Sequence, residues 1–164
     1  MTITCLRHSL ALSMLVALLL TACATSEPAS SYERTPLPDR SYDGDVIRSS
    51  DEEAVDTLDR PARPEEGMMR VRLLYPDAVR EAGLEPRIVV TFVVGPDGLP
   101  YDVAVERELS EAAVQGLSEE AREGLKDMEH QAKRIVWSTE FTPATVNGEP
   151  VAVQMTWPLS FRAN

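Results

Sequence analysis

The chain has very little with which to do redox or metal chemistry. Its 164 residues include 2 cysteines and 2 histidines. Both cysteines, Cys5 and Cys23, lie at the N-terminal end. The rest of the chain therefore has neither a disulfide nor a thiol ligand, even in an oxidising compartment, and must be held together by a core. Past Cys23 the sole histidine is His130, among Glu129, Gln131 and Lys133. With no second His or Cys to join it, it reads as a solvated helix position and not as a metal or catalytic centre. There is no phosphate-binding glycine loop, and neither Ser110 nor Ser118 has a Gly-x-Ser-x-Gly setting. The acid pairs Glu119–Glu120 and Glu106/Glu108 fit a helix start and an exposed strand face. Neither an enzyme nor a cofactor is expected. Basic residues are also scarce: 16 Lys and Arg against 27 Asp and Glu give a formal net charge of −11. That balance argues against nucleic acid or anionic lipid headgroups as partners and favours solubility.

Long apolar runs are as scarce. The one continuous run, Leu10 to Leu20, follows Arg7 and His8 and is too short to span a bilayer comfortably. It reads as the apolar region of a signal segment. The Leu20-Thr21-Ala22-Cys23 that follows resembles the bacterial lipobox. The resemblance implies that residues 1–22 are removed and that Cys23 becomes the lipidated N-terminus. An ordinary signal peptide cleaved near Ala22 is the alternative. Ala24 stands where an Asp would favour inner-membrane retention, which points to the outer membrane.

Residues 23–67 then read as a lipidated Cys and a disordered acidic tether. Pro28, Pro36, Pro38, Pro61 and Pro64 interrupt it, and its sparse apolar residues show no period. Such a segment cannot offset its own ordering entropy. As a flexible chain its reach is roughly 35–40 Å. Asp51 to Leu58 has the makings of a transient helical turn.

Residues 68–164 carry the periodic patterns. Met69, Val71 and Leu73 alternate as an extended lead-in, and a short helix follows Tyr75-Pro76 and stops at Gly83. Arg87 to Val94 is apolar on both phases, as in a central strand. Gly95-Pro96-Asp97-Gly98 turns it into a second strand, Tyr101 to Arg107, with one core side and one wet side. Ser110 and Ser118 suit helix N-caps. Ala121, Leu125, Met128, Ala132 and Ile135 form an apolar stripe at helical spacing, with a break expected near Gly116. Gly124 inside that helix costs about 1 kcal/mol relative to Ala. Asn147-Gly148 turns into a last strand with Val151, Val153, Met155, Trp157, Leu159 and Phe161 on one phase. Trp137 and Trp157 read as core aromatics. The expected fold is two-layer α+β in the order helix, strand, strand, helix, strand. Both helices cover one face of a three-stranded antiparallel sheet.

In order along the chain stand Tyr75-Pro76-Asp77-Ala78, Gly83, Ile88 to Val94, Asp97-Gly98 and Val103-x-Val105. Phe141-x-Pro143-Ala144, Asn147-Gly148-x-Pro150-Val151 and Pro158-Leu159-x-Phe161 complete the series. Together they resemble the C-terminal domain of the TonB energy-transducer family, over about residues 70–162. The resemblance implies a periplasmic domain of a Gram-negative envelope. It further implies binding of a short extended peptide, the TonB box of outer-membrane transporters, at the exposed edge of the last strand. Pro158 has no N–H, so its nitrogen is expected to face away from the neighbouring strand. The backbone groups of Ala152, Gln154 and Thr156 then form the outward, partner-binding edge. The same edge is open to self-pairing into a homodimer. No transmembrane helix or long Pro-Lys spacer is evident, so the expectation is a lipid-anchored binding module. An energy transducer or a structural envelope lipoprotein is the alternative.

Overall fold

A computed structural model describes residues 32–48, 50–65 and 73–161. The signal segment, Cys23 and the lead-in at Met69 and Val71 lie outside the described residues. Those from Glu33 onward belong to one compact unit, Glu33–Asn164. Its elements in chain order are β1 (Val46–Ile47), α1 (Glu52–Val55), β2 (Arg63–Pro64), α2 (Asp77–Glu81), β3 (Arg87–Val94) and β4 (Pro100–Glu108). They continue as α3 (Glu111–Gln115), α4 (Glu119–Trp137), β5 (Phe141–Thr142), β6 (Ala144–Val146) and β7 (Glu149–Ser160).

The centre of the fold is β3. Its apolar residues on both phases suit a strand flanked on each side, and it pairs antiparallel with β4 and with β7. Ile88, Val90, Phe92 and Val94 are buried on the phase that meets the helices. α4 packs across β4 and β3, and α2 packs on α4. The stripe foreseen on α4 is buried at Ala121, Leu125, Met128, Ala132 and Ile135. Ser110 and Ser118 cap α3 and α4 by accepting the N–H groups of Ala113 and Ala121, and Gly116 ends α3. Gly124 has a packing reason: a Cβ there would meet Val79 and Pro76 of the α2 segment. Burial of each large apolar side chain in this layer is worth about 1.5–3 kcal/mol.

The sheet is larger than the expected three strands. Its order is β1-β7-β3-β4, with β6 paired to β7 through the Asn147-Gly148 turn, making five strands. Asn147 and Gly148 both have positive φ, as a two-residue hairpin turn requires. A separate pair joins β2 to β5. Three-strand logic fails because β1 is only two residues long and β6 three, too short to show a period.

The segment expected to be a free tether also differs. Residues 33–48 and 50–65 form a strap against the domain. Arg34 reaches α4 and pairs with Glu123 at 2.7 Å and Asp127 at 2.6 Å. At the outer edge of β4 the register with β3 slips between Thr91 and Val93, a bulge centred on Asp102. Asp102 has φ +48°, and its N–H donates to the Arg40 carbonyl at 2.9 Å. Its carboxylate accepts the Tyr42 N–H at 3.1 Å. The bulge thus turns backbone and side chain toward the strap. Farther on, Asp51 caps α1. The Asp59 N–H donates to the Thr145 carbonyl at 2.8 Å, and the Thr145 N–H donates to the Arg60 carbonyl at 2.9 Å. The strap is polar and Pro-interrupted, yet the sheet edges supply backbone partners that its own sequence does not predict.

Candidate functional site

The outer edge of β7 is built by two prolines. Pro150 lies opposite Thr145 of β6, and Pro158 opposite Val89 of β3. Neither has an N–H to give, and both fall on the same phase of the strand. Backbone groups of a strand alternate sides, so the other phase carries the ladder. Val151 then faces β6, and Val153, Met155 and Trp157 face β3. The alternation assigns the groups of Ala152, Gln154 and Thr156 to the opposite, outer edge. The prolines bracket that edge to a window of five residues, 152 to 156.

Side chains give this window a firm inner wall. Val151, Met155, Trp157 and Leu159 pack against the core, and Val153 is part of it. Trp157 lies 6.4 Å from Phe92 and 6.3 Å from Phe141, ring centroid to centroid. On the other phase Ala152 is buried, Gln154 is half-buried and Thr156 is exposed. The strand is therefore rigid on its core side and accessible toward its C-terminal half.

The first part of the edge is occupied. β1 lies parallel to β7, with Val46 opposite Ala152 and Ile47 opposite Val153. β1 and β3 are on opposite sides of β7, so β1 sits on the outer edge. Ile47 packs against the core beside Val153. Among the described residues no strand pairs with that edge beyond Val153. Gln154 and Thr156 follow the end of β1. Sequence reasoning singled out Ala152, Gln154 and Thr156 but missed Val46 and Ile47. The one signal was there: these two are the only adjacent pair of large aliphatic residues between positions 24 and 67.

Elsewhere the chemistry is structural. His130 Nε2 is 2.8 Å from the Thr35 carbonyl oxygen. A carbonyl only accepts, so this ring nitrogen carries the proton and ties the strap to α4. Trp137 is half-buried, not a core residue, and is covered by the Arg40 guanidinium at 5.5 Å from its ring centroid. Hydrogen bonds from Lys126 and then Arg34 hold the Glu123 carboxyl below the ordinary glutamate value. The hydrogen bond to Asp97, ahead of burial, raises the Tyr101 phenol. Among the described residues no group of His, Cys, Asp and Glu is placed to hold a metal ion. No described helix is long and apolar enough to cross a membrane.

Comparison with known proteins places this geometry in context. The family described as Gram-negative bacterial TonB protein C-terminal matches residues 71–163. A solved structure titled "Solution NMR structure of Pseudomonas aeruginosa TonB CTD" is 23% identical, with a TM-score of 0.39, over 64% of this chain and 89% of that one. No curated protein matches the chain.

Proposed function

This chain belongs to the TonB C-terminal family of envelope domains, and from that premise we propose that it is a lipid-anchored, periplasm-facing binding module. The family's domains are transport-related, non-enzymatic and interact with outer-membrane proteins. In this reading the chain captures extended peptide segments of such proteins by strand addition to the outer edge of β7. Cys23 is the lipid attachment point and the outer membrane its anchor.

One observation supports this reading above the others. β7 offers a short, rigid run of outward backbone groups between Pro150 and Pro158, and it already takes a parallel strand there. Main-chain hydrogen bonds supply affinity in such recognition, and alternate side-chain positions supply selectivity. The edge asks little of the partner's sequence beyond an extended backbone.

A photo-crosslinking residue in place of Gln154 tests the reading in cells. The expected adduct contains an extended segment of an outer-membrane protein. It disappears when Thr156→Pro removes a donor from the window, and Cys23→Ala shifts the chain from the membrane to the soluble fraction. Adducts composed solely of a second copy of this chain would sink peptide capture in favour of self-pairing. An unchanged membrane fraction after Cys23→Ala would remove the lipid anchor from the account.

A further inference from the structure

We propose that the strap segment Asp45–Arg48 is a built-in competitor for the docking edge, holding its first half until an incoming peptide displaces it. The inference rests on the binding function proposed above.

Three observations carry it. β1 lies on the same side of β7 that the prolines leave free, at Ala152 and Val153, inside the five-residue window. It is therefore a ligand of that edge in its own right, supplied by the same chain. Second, its own hold is short. Only Val46 and Ile47 pair, and of the two only Ile47 packs against the core. Two paired residues are a small fraction of what makes a strand stable.

Third, the strap is fastened on both sides of β1 by contacts made outside β7 itself. Upstream, Arg40 and Tyr42 are held by Asp102, and Arg34 by Glu123 and Asp127. Downstream, Asp59 and Arg60 pair with Thr145, and the Asp59 carboxylate accepts the Gly148 N–H at 2.8 Å. A weak strand between two fixed points has a high effective concentration at its site, on the order of millimolar for short flexible connections. It leaves readily and returns readily. That is the behaviour of a competitor and not of a permanent sheet member.

The layout also gives an order of events. Past the end of β1 the Gln154 carbonyl and the backbone groups of Thr156 form an open foothold. A peptide pairs there first and extends toward Ala152, releasing Val46 and Ile47 as it goes. Peptides that reach only the foothold bind weakly. Those long enough to displace β1 gain the full window. The strap thereby selects for length.

The probe for the test is a fluorescent synthetic peptide with the strap's own sequence, residues 41–50. It is titrated into the full chain and into the Ile47→Pro variant, which cannot hold β1 in the ladder. A strand docked nine-tenths of the time weakens apparent affinity about tenfold. The variant is expected to bind the probe at least tenfold more tightly than the native chain. Ile47→Asp keeps the backbone donor and is expected to fall between the two. Circular dichroism and slow amide exchange at Val90 and Phe92 establish that each variant is folded. Equal affinity of native chain and folded variants overturns the proposal. Failure of all three to bind the probe overturns it too, because a freed edge must accept the strap sequence. Neither outcome bears on whether a foreign segment is captured at position 154, which the crosslinking experiment decides.

Discussion

At Gly98 the backbone has φ +77°, and a Cβ would overlap the carbonyl oxygen of Phe141. The Phe141 N–H donates to the Gly98 carbonyl at 3.0 Å, so this glycine joins the β3–β4 turn to the start of β5. Gly98→Ala must adopt a left-handed conformation and push that backbone away. Together these are expected to cost roughly 2–4 kcal/mol. Thermal unfolding should show a fall in Tm on the order of 10 °C. A change within experimental error would mean that the turn has another way to close. The turn itself was legible, since Gly-Pro-Asp-Gly names its own geometry. Its tie to Phe141 was not, because no local pattern announces a contact forty residues away. Gly124 teaches the same lesson with the opposite sign. In the sequence it is only a weakness in a helix; in the structure it is where Pro76 and Val79 come close. Gln131 was wholly illegible. It sits on the buried side of α4 and holds Leu74 by accepting its N–H at 2.8 Å and donating to its carbonyl at 3.1 Å.

Among the elements, β3, β4, α4 and β7 were readable because each is long enough to repeat its period. β1, β2, β5 and β6 have two or three residues and no period at all. They are stabilised by the edges they join, so they become visible only once those edges exist. The strap's N-terminal end has a pH dependence that follows from one carboxylate. The Glu123 carboxyl lies below its ordinary value because Lys126, first, and Arg34 hydrogen-bond its charged form. A lowered folded value contributes stability that is present above the unfolded value and lost as pH falls through the folded one. Docking of Arg34 on α4 is therefore expected to be intact at neutral pH and to weaken only below the ordinary glutamate range. The pair is exposed, so the effect on global stability is small and the local one is the better readout. Amide exchange across Arg34 to Asp39 should accelerate over that acid window while exchange in β3 does not. Acceleration already near pH 6 would require a group other than Glu123.

For the whole molecule, the mixed α+β fold and its family were within reach of the sequence, since the ordered series from Tyr75-Pro76 to Phe161 spans the domain. What could not be read was that residues 33–48 and 50–65 fold back onto it. A polar, proline-broken segment has no core of its own to advertise, and only the finished sheet offers it partners. The consequence is that the proposed docking edge and the segment that would lead to the proposed anchor at Cys23 meet at β1. The proposed function requires that the outer edge of β7 receive an extended peptide. The direct measurement is an amide-resolved NMR titration of the isotope-labelled full chain with a synthetic TonB-box peptide. Shifts are expected to concentrate at Ala152, Gln154 and Thr156, with Val46 and Ile47 changing in step as β1 leaves. Shifts confined to α4 or to the β4 edge, or none up to millimolar peptide, would contradict the proposed function.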